Sequence, residues 1–277
     1  MKFIETMKPR SNSRLLIVDA LNFSFRWKHR KQFDFAEDYF RTVQSLAKSY
    51  STGEILITAD KGSSSYRREI YPEYKANRAE KYANQTEQEK ADAEAFFNGY
   101  EETLLLLAKE FPILRFNRVE ADDIAACLVK NNQKFEHIWL VSSDKDWNLL
   151  VNENVSQFSC ITRKETTNDN WFEHHQVSPE FYLGLKCLQG DTGDNIKGIS
   201  GIGPKRGYEL LEKYDGINGL MDSLPLKGTA KYIQALNTEG PTTIPRNIQL
   251  MDLFSFCEEA IGHDNVKEVN KHVSSSN

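Results

Sequence analysis

Nine carboxylates fall in five short clusters, and most of the clusters close an apolar run. They read LLIVDALN with Asp19, ILITADKG with Asp60, VEADD with Glu120, Asp122 and Asp123, WLVSSDKDW with Asp144 and Asp146, and QGDTGDN with Asp191 and Asp194. Apolar runs of four to eight residues read as buried parallel strands. In open α/β sheets, ligands bind beyond the carboxyl ends of the strands. Acid after acid is therefore aimed at one place. So many like charges cannot share a pocket unless cations hold them. Oxygen-only ligands select hard ions, Mg²⁺ or Mn²⁺.

The spacings fit this reading. Asp144 and Asp146 straddle Lys145, and in an extended segment i and i+2 point the same way, so both can reach one ion or two adjacent ones. Asp191 and Asp194 are three apart, neighbours on a helical turn, and so are Glu120 and Asp123 with Asp122 between them. Helix capping and the helix dipole account for any one cluster taken alone. Five clusters at strand exits and helix starts are better accounted for by metal binding, which relieves the repulsion.

Two further strings carry positive charge. Gly198-Ile-Ser-Gly-Ile-Gly-Pro-Lys-Arg-Gly207 has the wrong spacing for a dinucleotide loop and no strand before it. It fits a tight hairpin between two helices. There Gly201 and Gly203 let backbone N–H groups approach a phosphate, and Lys205 and Arg206 open the following helix. In Tyr74-Lys75-Ala-Asn-Arg78, the two cations can hold a phosphate and Tyr74 can stack on a base; spacing alone favours an exposed basic loop. His174-His175 has no acid or cysteine partner at metal spacing and reads as surface.

The elements that must position these residues follow from periodicity. Strands are expected over 14–18, 54–59, 112–116 and 137–141, each with an acid at or near its exit. Helical spacing runs through 37–50. Thr86 and Glu89 have capping-box spacing, so a long helix begins there and runs to about Lys109, polar in its first half and apolar in its second. A helix that projects from the body and then packs on it has this pattern. VEADD opens another helix, and Ser178-Pro179 an N-capped one that ends near Leu188. Alternating strands and helices over 14–165 imply a parallel sheet. Residues 190–277 hold no convincing strand and read as a smaller helical region, fraying at HVSSSN.

Bulk composition sets outer limits. The 277 residues are 39% hydrophobic and 27% charged, an ordinary globular balance. MKFIETMKPRSNSR offers no apolar leader and LLLLA at 104–108 is too short to span a bilayer. A cytoplasmic chain with no membrane partner is expected. Four scattered cysteines suggest neither a zinc site nor a disulfide framework. Net charge is −5, yet 35 Lys and Arg stand against 40 Asp and Glu. With the nine clustered acids set aside, 31 remain, four fewer than the bases. An acidic chain can thus present a basic surface.

VEADD, SSDKDW, GDTGDN with IKGISGIGPKRG, and YPEYKANR together resemble the 5′-nuclease family of flap endonucleases and 5′→3′ exonucleases, its free-standing bacteriophage members above all. The resemblance runs from about Leu15 to about Asp252. It implies an α/β fold: a mostly parallel PIN-like sheet over 1–180, carrying a helical arch over 66–105, and a helical region over 181–277 with a helix-hairpin-helix at 186–215. Asp19, Asp60, Glu120, Asp122 and Asp123 match one group of metal-associated acids, and Asp144, Asp146, Asp191 and Asp194 a second. Lys75 and Arg78 match the basic pair at the foot of the arch, and Tyr74 the neighbouring aromatic. Residues 198–208 match the hairpin that grips duplex backbone, where the family places a monovalent cation such as K⁺. The implied reaction is phosphodiester hydrolysis in branched or 5′-ended DNA with two Mg²⁺ ions about 4 Å apart, Mn²⁺ substituting. Asp144 and Asp146, with Lys75 and Arg78, would act on the scissile phosphate. The implied partner is DNA (a flap, a 5′ overhang or a duplex junction), and a monomer is expected. Lys145 departs from the family, which favours small residues there; Ala79 replaces an acid; no clamp-binding motif is visible. A PIN-type ribonuclease and a non-catalytic structure-specific DNA-binding protein are the alternatives.

Overall fold

The computed structural model describes residues 11–275. The start of the chain, read above for its lack of an apolar leader, lies outside them, as do the last two residues. Strand β1 (Ser11–Asp19) leads through α1 (Ala20–Lys28) and α2 (Ala36–Ser49) to β2 (Thr52–Thr58). Helices α3 (Ser65–Ile70), α4 (Asn77–Ala83) and α5 (Glu87–Leu107) precede β3 (Ile113–Leu114), α6 (Ala121–Lys130) and β4 (His137–Val141). A 3-10 turn (Asp146–Leu150), β5 (Val155–Ser159) and β6 (Lys164–Thr166) finish the sheet, and α7 (Trp171–His174) and α8 (Pro179–Gln189) leave it. Strands β7 (Gly190–Asp191) and β8 (Ile196–Lys197) then precede α9 (Pro204–Lys213), α10 (Gly216–Asp222), α11 (Lys231–Met251), α12 (Leu253–Ile261) and α13 (His263–Val273).

The sheet order is β3-β2-β1-β4-β5-β6, parallel up to the final β5–β6 pair, which is antiparallel. Leu15, Leu16, Ile17 and Val18 are all 0% exposed because β1 is covered on both faces. Burying each such side chain contributes roughly 1.5–3 kcal/mol. Leu15 and Ile17 meet α6, α12 and α13 on one face, while Leu16 and Val18 meet α1, α2 and α5 on the other. The chain crosses from β3 on one side of β1 to β4 on the other, so β1 and β4 flank the point where strand order reverses, the usual crevice for a ligand. Registers pair Asp19 with Thr58 and Val18 with Val141. The exits of β1, β2 and β4 therefore lie level.

Several expectations need correction. Residues 20–28, for which no element was expected, form helix α1, whose Ala20, Phe23 and Trp27 are buried one above another. The strand at 112–116 shrinks to Ile113–Leu114. The β5–β6 hairpin is extra, as is the β7–β8 ladder in the region read as strand-free. That ladder needs glycine at two places. Gly190 has φ +74, and a Cβ on it would stand 2.3 Å from the Gly198 nitrogen; one on Gly198 would stand 2.2 Å from the Gln189 carbonyl carbon. The expected boundary at 180 lies in the first turn of α8. Nor is 181–277 one unit: Leu253, Cys257, Ile261, Val269 and Val273 join the core of the sheet. Val273, within the tail expected to fray, is fully buried. The capping box at Thr86 and Glu89 forms, and α5 buries only its second half, from Phe96 onward. Among the described residues no helix is long and apolar enough to cross a membrane. All four cysteines are free.

Candidate active site

The fold gathers the nine carboxylates but does not treat them alike. Asp19, Asp60, Asp122 and Asp144 form one set. Asp19 ends β1 and caps α1, accepting from the Asn22 amide at 3.1 Å and from the Ser142 hydroxyl at 2.8 Å. Asp60 lies just past β2 and accepts from the Ala121 amide at 2.7 Å. Asp122, in the first turn of α6, accepts from the Trp147 indole, and Asp144, past β4, from the Asp146 amide. Every one of these donors is neutral. Among the described residues no Lys, Arg or His nitrogen lies within 4.0 Å of any of the four.

Their protons reflect it. Burial, then the nearby charge of Asp60, pushes Asp19 up to about 8. Burial and the charges of Asp144, Asp19 and Asp60 raise Asp122 well above the carboxylate range. Asp144 is pushed up to about 6 by burial and Asp146, and Asp60 is raised by burial. These acids face one another across a poorly solvated space, each disfavouring the others' charge.

The other five are already neutralised from within the chain. Both guanidinium N–H groups of Arg67 donate to Asp123, at 2.6 and 2.8 Å, with both side chains buried. Lys75 donates to Glu120 at 2.8 Å and lies 3.7 Å from Asp194, whose other oxygen accepts from Arg78 at 2.8 Å. Lys186 donates to Asp146 at 2.6 Å and stands 3.7 Å from Asp191. Burial alone would raise Glu120; Lys75 and Arg67 hold it below its ordinary value.

The two halves of this arrangement are clasped together. The Lys75 amide donates to the Asp194 carbonyl at 2.9 Å, the Asn77 amide group to the Thr192 carbonyl at 3.0 Å, and the Asn195 amide group to the Glu73 carbonyl at 2.8 Å. Lys75 takes φ 56, a left-handed conformation uncommon for a lysine, and strain of this kind gathers at working sites. It fixes the foot of α4 against the GDTGDN loop. Beside it opens a cavity of ≈ 400 Å³ whose walls include Asp60, Lys75, Arg78, Phe97 and Glu120.

Comparisons with known proteins match this geometry. Residues 14–181 match the N-terminal resolvase-like domain of the 5′-3′ exonucleases, and residues 177–255 their C-terminal domain, described as a SAM fold. The flap endonuclease of Escherichia phage T5 is 44% identical over 94% of this chain and 91% of its own length. The chain belongs to the 5′-3′ exonuclease family. A 5′-3′ exonuclease of Bacillus subtilis is 27% identical over 81% of this chain and 79% of its own. The phage T5 protein co-crystallised with metal ions superposes with a TM-score of 0.87 at 43% identity, over 94% of this chain and 98% of that one. A variant of the T5 flap endonuclease, in a pseudo-enzyme-product complex with DNA and metal ions, gives 0.90 at 42% identity, over 94% and 97%. The protein is thus a nuclease of the flap endonuclease and 5′-3′ exonuclease type.

Within this family site, the donor chemistry fits divalent ions. All donors are carboxylate oxygens, and the four acids without a cation need one to be charged together. Among the described residues no three metal-ligating groups converge tightly enough to form a finished cage. Some sequence-read residues fall elsewhere. Tyr74 is 2% exposed, and its hydroxyl donates toward Glu120 at 2.8 Å and Asp194 at 3.1 Å; it cannot stack on a base. Asp123 has both oxygens committed to Arg67, which makes it a strut rather than an open ligand. Lys145 points to solvent; only its carbonyl is engaged, by Tyr182 and Asn148. His175, read as surface, packs its ring 4.1 Å from that of Trp171. In the hairpin, Gly201 has φ +79, a Cβ on Gly203 would meet nothing within 4 Å, and Lys205 and Arg206 are exposed. Arg206 also donates to the Gly201 carbonyl at 2.8 Å and covers the Tyr232 ring. Sequence reading missed Arg67 and Lys186. The signal for Lys186 was there: a lone cation in the apolar helix FYLGLKCLQ, five residues before Asp191.

Proposed function

We propose that this nuclease hydrolyses phosphodiesters in 5′-ended or branched DNA, with Mg²⁺ held first by Asp19, Asp60, Asp122 and Asp144. The observation that carries the reading is that these four acids have no basic partner among the described residues, beside a cavity that Lys75 and Arg78 line. Two Mg²⁺ ions, or Mn²⁺ in their place, supply when bound an activated water and positive charge for the leaving 3′-oxygen. Asp146, Asp191, Asp194 and Glu120 complete the ligand set. Lys75 and Arg78 meet the negative charge that builds on the scissile phosphate. The hairpin at 198–208, through the amides around Gly201 and Gly203 and the side chains of Lys205 and Arg206, holds duplex backbone without reading bases, with K⁺ as its monovalent ion. The arch of α4 and α5 admits a single-stranded 5′ end, so selection is by shape.

The test is a labelled flap substrate incubated with Mg²⁺, with Mn²⁺ and with EDTA. Cleavage near the junction in the first two and none in the third is expected. Cleavage that survives EDTA would remove the metal role, and cleavage of single-stranded RNA in preference to the flap would replace the substrate class.

A further inference from the structure

Asp146 and Asp191 come from different elements, one opening the 3-10 turn after β4 and one in β7, and a single ammonium spans them. The Lys186 side chain is only 14% exposed. It projects from α8, whose Tyr182, Cys187 and Leu188 are buried, so its position is fixed by the packing of that helix. Next to it a void of ≈ 10 Å³ is lined by Asp122, Asp146, Asp191 and Asp194. That is about the space of one water-sized sphere; Arg67, Tyr74 and apolar side chains of β8, α11 and α12 complete its wall.

We propose that Lys186 is a built-in counter-ion for the second acid group, and that a divalent ion must displace its ammonium to bind there. This rests on the divalent-ion reading above. The consequence is ordered loading: the Asp19, Asp60, Asp122 and Asp144 quartet fills first, and the Asp146–Asp191 pair fills second.

The chemistry of the side chain suits the task. An ammonium is a compact charge on a flexible four-carbon stem, and it holds its partners without the fixed fork of a guanidinium. It can leave while α8 stays in place. Arg67 is the contrast: its two parallel bonds to Asp123 lock a plane to a plane, and nothing smaller can take its place. As long as Lys186 remains, it both occupies two ligand oxygens and repels an arriving cation. The quartet offers no such obstacle.

Isothermal titration of the DNA-free protein with Mn²⁺ tests this, using wild type, Lys186→Met and Lys186→Arg. Wild type is expected to bind in two steps. Lys186→Met should leave the tighter step within about twofold and tighten the weaker one by about tenfold or more, since a unit charge a few ångströms away has gone. Lys186→Arg, whose fork is harder to displace, should weaken the second step further than wild type or abolish it. A lysine that merely supported the fold would act in the opposite sense, its loss weakening the second step. An unchanged or weakened second step in folded Lys186→Met overturns the proposal and leaves the metal reading standing. No Mn²⁺ binding to wild type overturns both. Should Lys186→Met not fold, the ¹³Cε resonance of Lys186 in wild type, titrated with Mg²⁺, decides. A shift that follows the second step supports displacement; a shift confined to the first step, or none, overturns it.

Discussion

Two sets of acids stand side by side in this site and live by different rules. Asp19, Asp60, Asp122 and Asp144 have neutral hydrogen-bond donors and, among the described residues, no cation within ion-pair distance. Glu120, Asp123, Asp146, Asp191 and Asp194 are held by Arg67, Lys75, Arg78 and Lys186. The first set is unstable as it stands and is relieved only by an added cation. The second is stable as it stands and is damaged when either partner is lost. Function and stability are therefore opposed in one set and joined in the other, within one pocket.

The largest effect expected from this contrast is on catalysis. Asp144→Asn should lower flap cleavage on the order of 10³-fold, the scale of losing a main electrostatic group, and keep binding of the flap in Ca²⁺ or EDTA. Turnover retained with Mg²⁺ would take Asp144 out of the metal set. Next in size is Arg67→Met. It strands Asp123 as a buried charge and should cost about 3–5 kcal/mol of unfolding free energy in urea. A loss below about 1 kcal/mol would mean that the pair is no strut. A smaller effect belongs to Lys205→Ala with Arg206→Ala, which should reduce the slope of log affinity against log salt on duplex DNA by about two. An unaltered slope would remove the hairpin from the interface.

A further prediction is a pH effect on the metal-free protein. Asp19 is pushed up to about 8 and Asp144 up to about 6, whereas in the unfolded chain both titrate near the ordinary value of about 3.9. Between these values the folded form holds more protons, so stability falls as pH rises from about 4 to about 8. Saturating Mg²⁺ should flatten the decline. Thermal melts across this range check it, and a metal-free stability that climbs with pH would reverse the assignment.

The positions of the acids were legible because an acid at the end of an apolar run is a local signal. LLIVD, with nothing polar before the aspartate, can hardly be other than a buried strand and its exit. The capping box of Thr86 and Glu89 was equally local. Which acids have partners was not legible: Arg67 reaches Asp123 across 56 positions and Lys186 reaches Asp146 across 40. Only the folded chain supplies those pairings. Tyr74 shows the same limit, since YPEYKANR reads as an exposed basic loop until its tyrosine is seen buried on Glu120. Helix α1 was legible and overlooked, its apolar stripe of Ala20, Phe23 and Trp27 hidden by the charges of Arg26 and Lys28. Helix α11 runs through Pro241 and Pro245, residues that argue against a helix on local grounds. Packing of Leu236, Gly240, Ile244 and Leu250 overrides them.

Adjacent acids in α6 allow the most direct test of the contrast. Asp122 belongs to the quartet, and Asp123 is paired with Arg67. Thermal unfolding in EDTA at about pH 7.5, a pH at which ordinary carboxylates are ionised, should move in opposite directions for two matched substitutions. Asp122→Asn keeps an acceptor for the Trp147 indole and removes an acid whose ionised form the folded site disfavours, so its Tm should rise by a few degrees. Asp123→Asn leaves the Arg67 guanidinium buried without its counter-charge, so its Tm should fall by more than that. If both variants fall together, or both rise, the division of these carboxylates into an open set and a paired set is wrong.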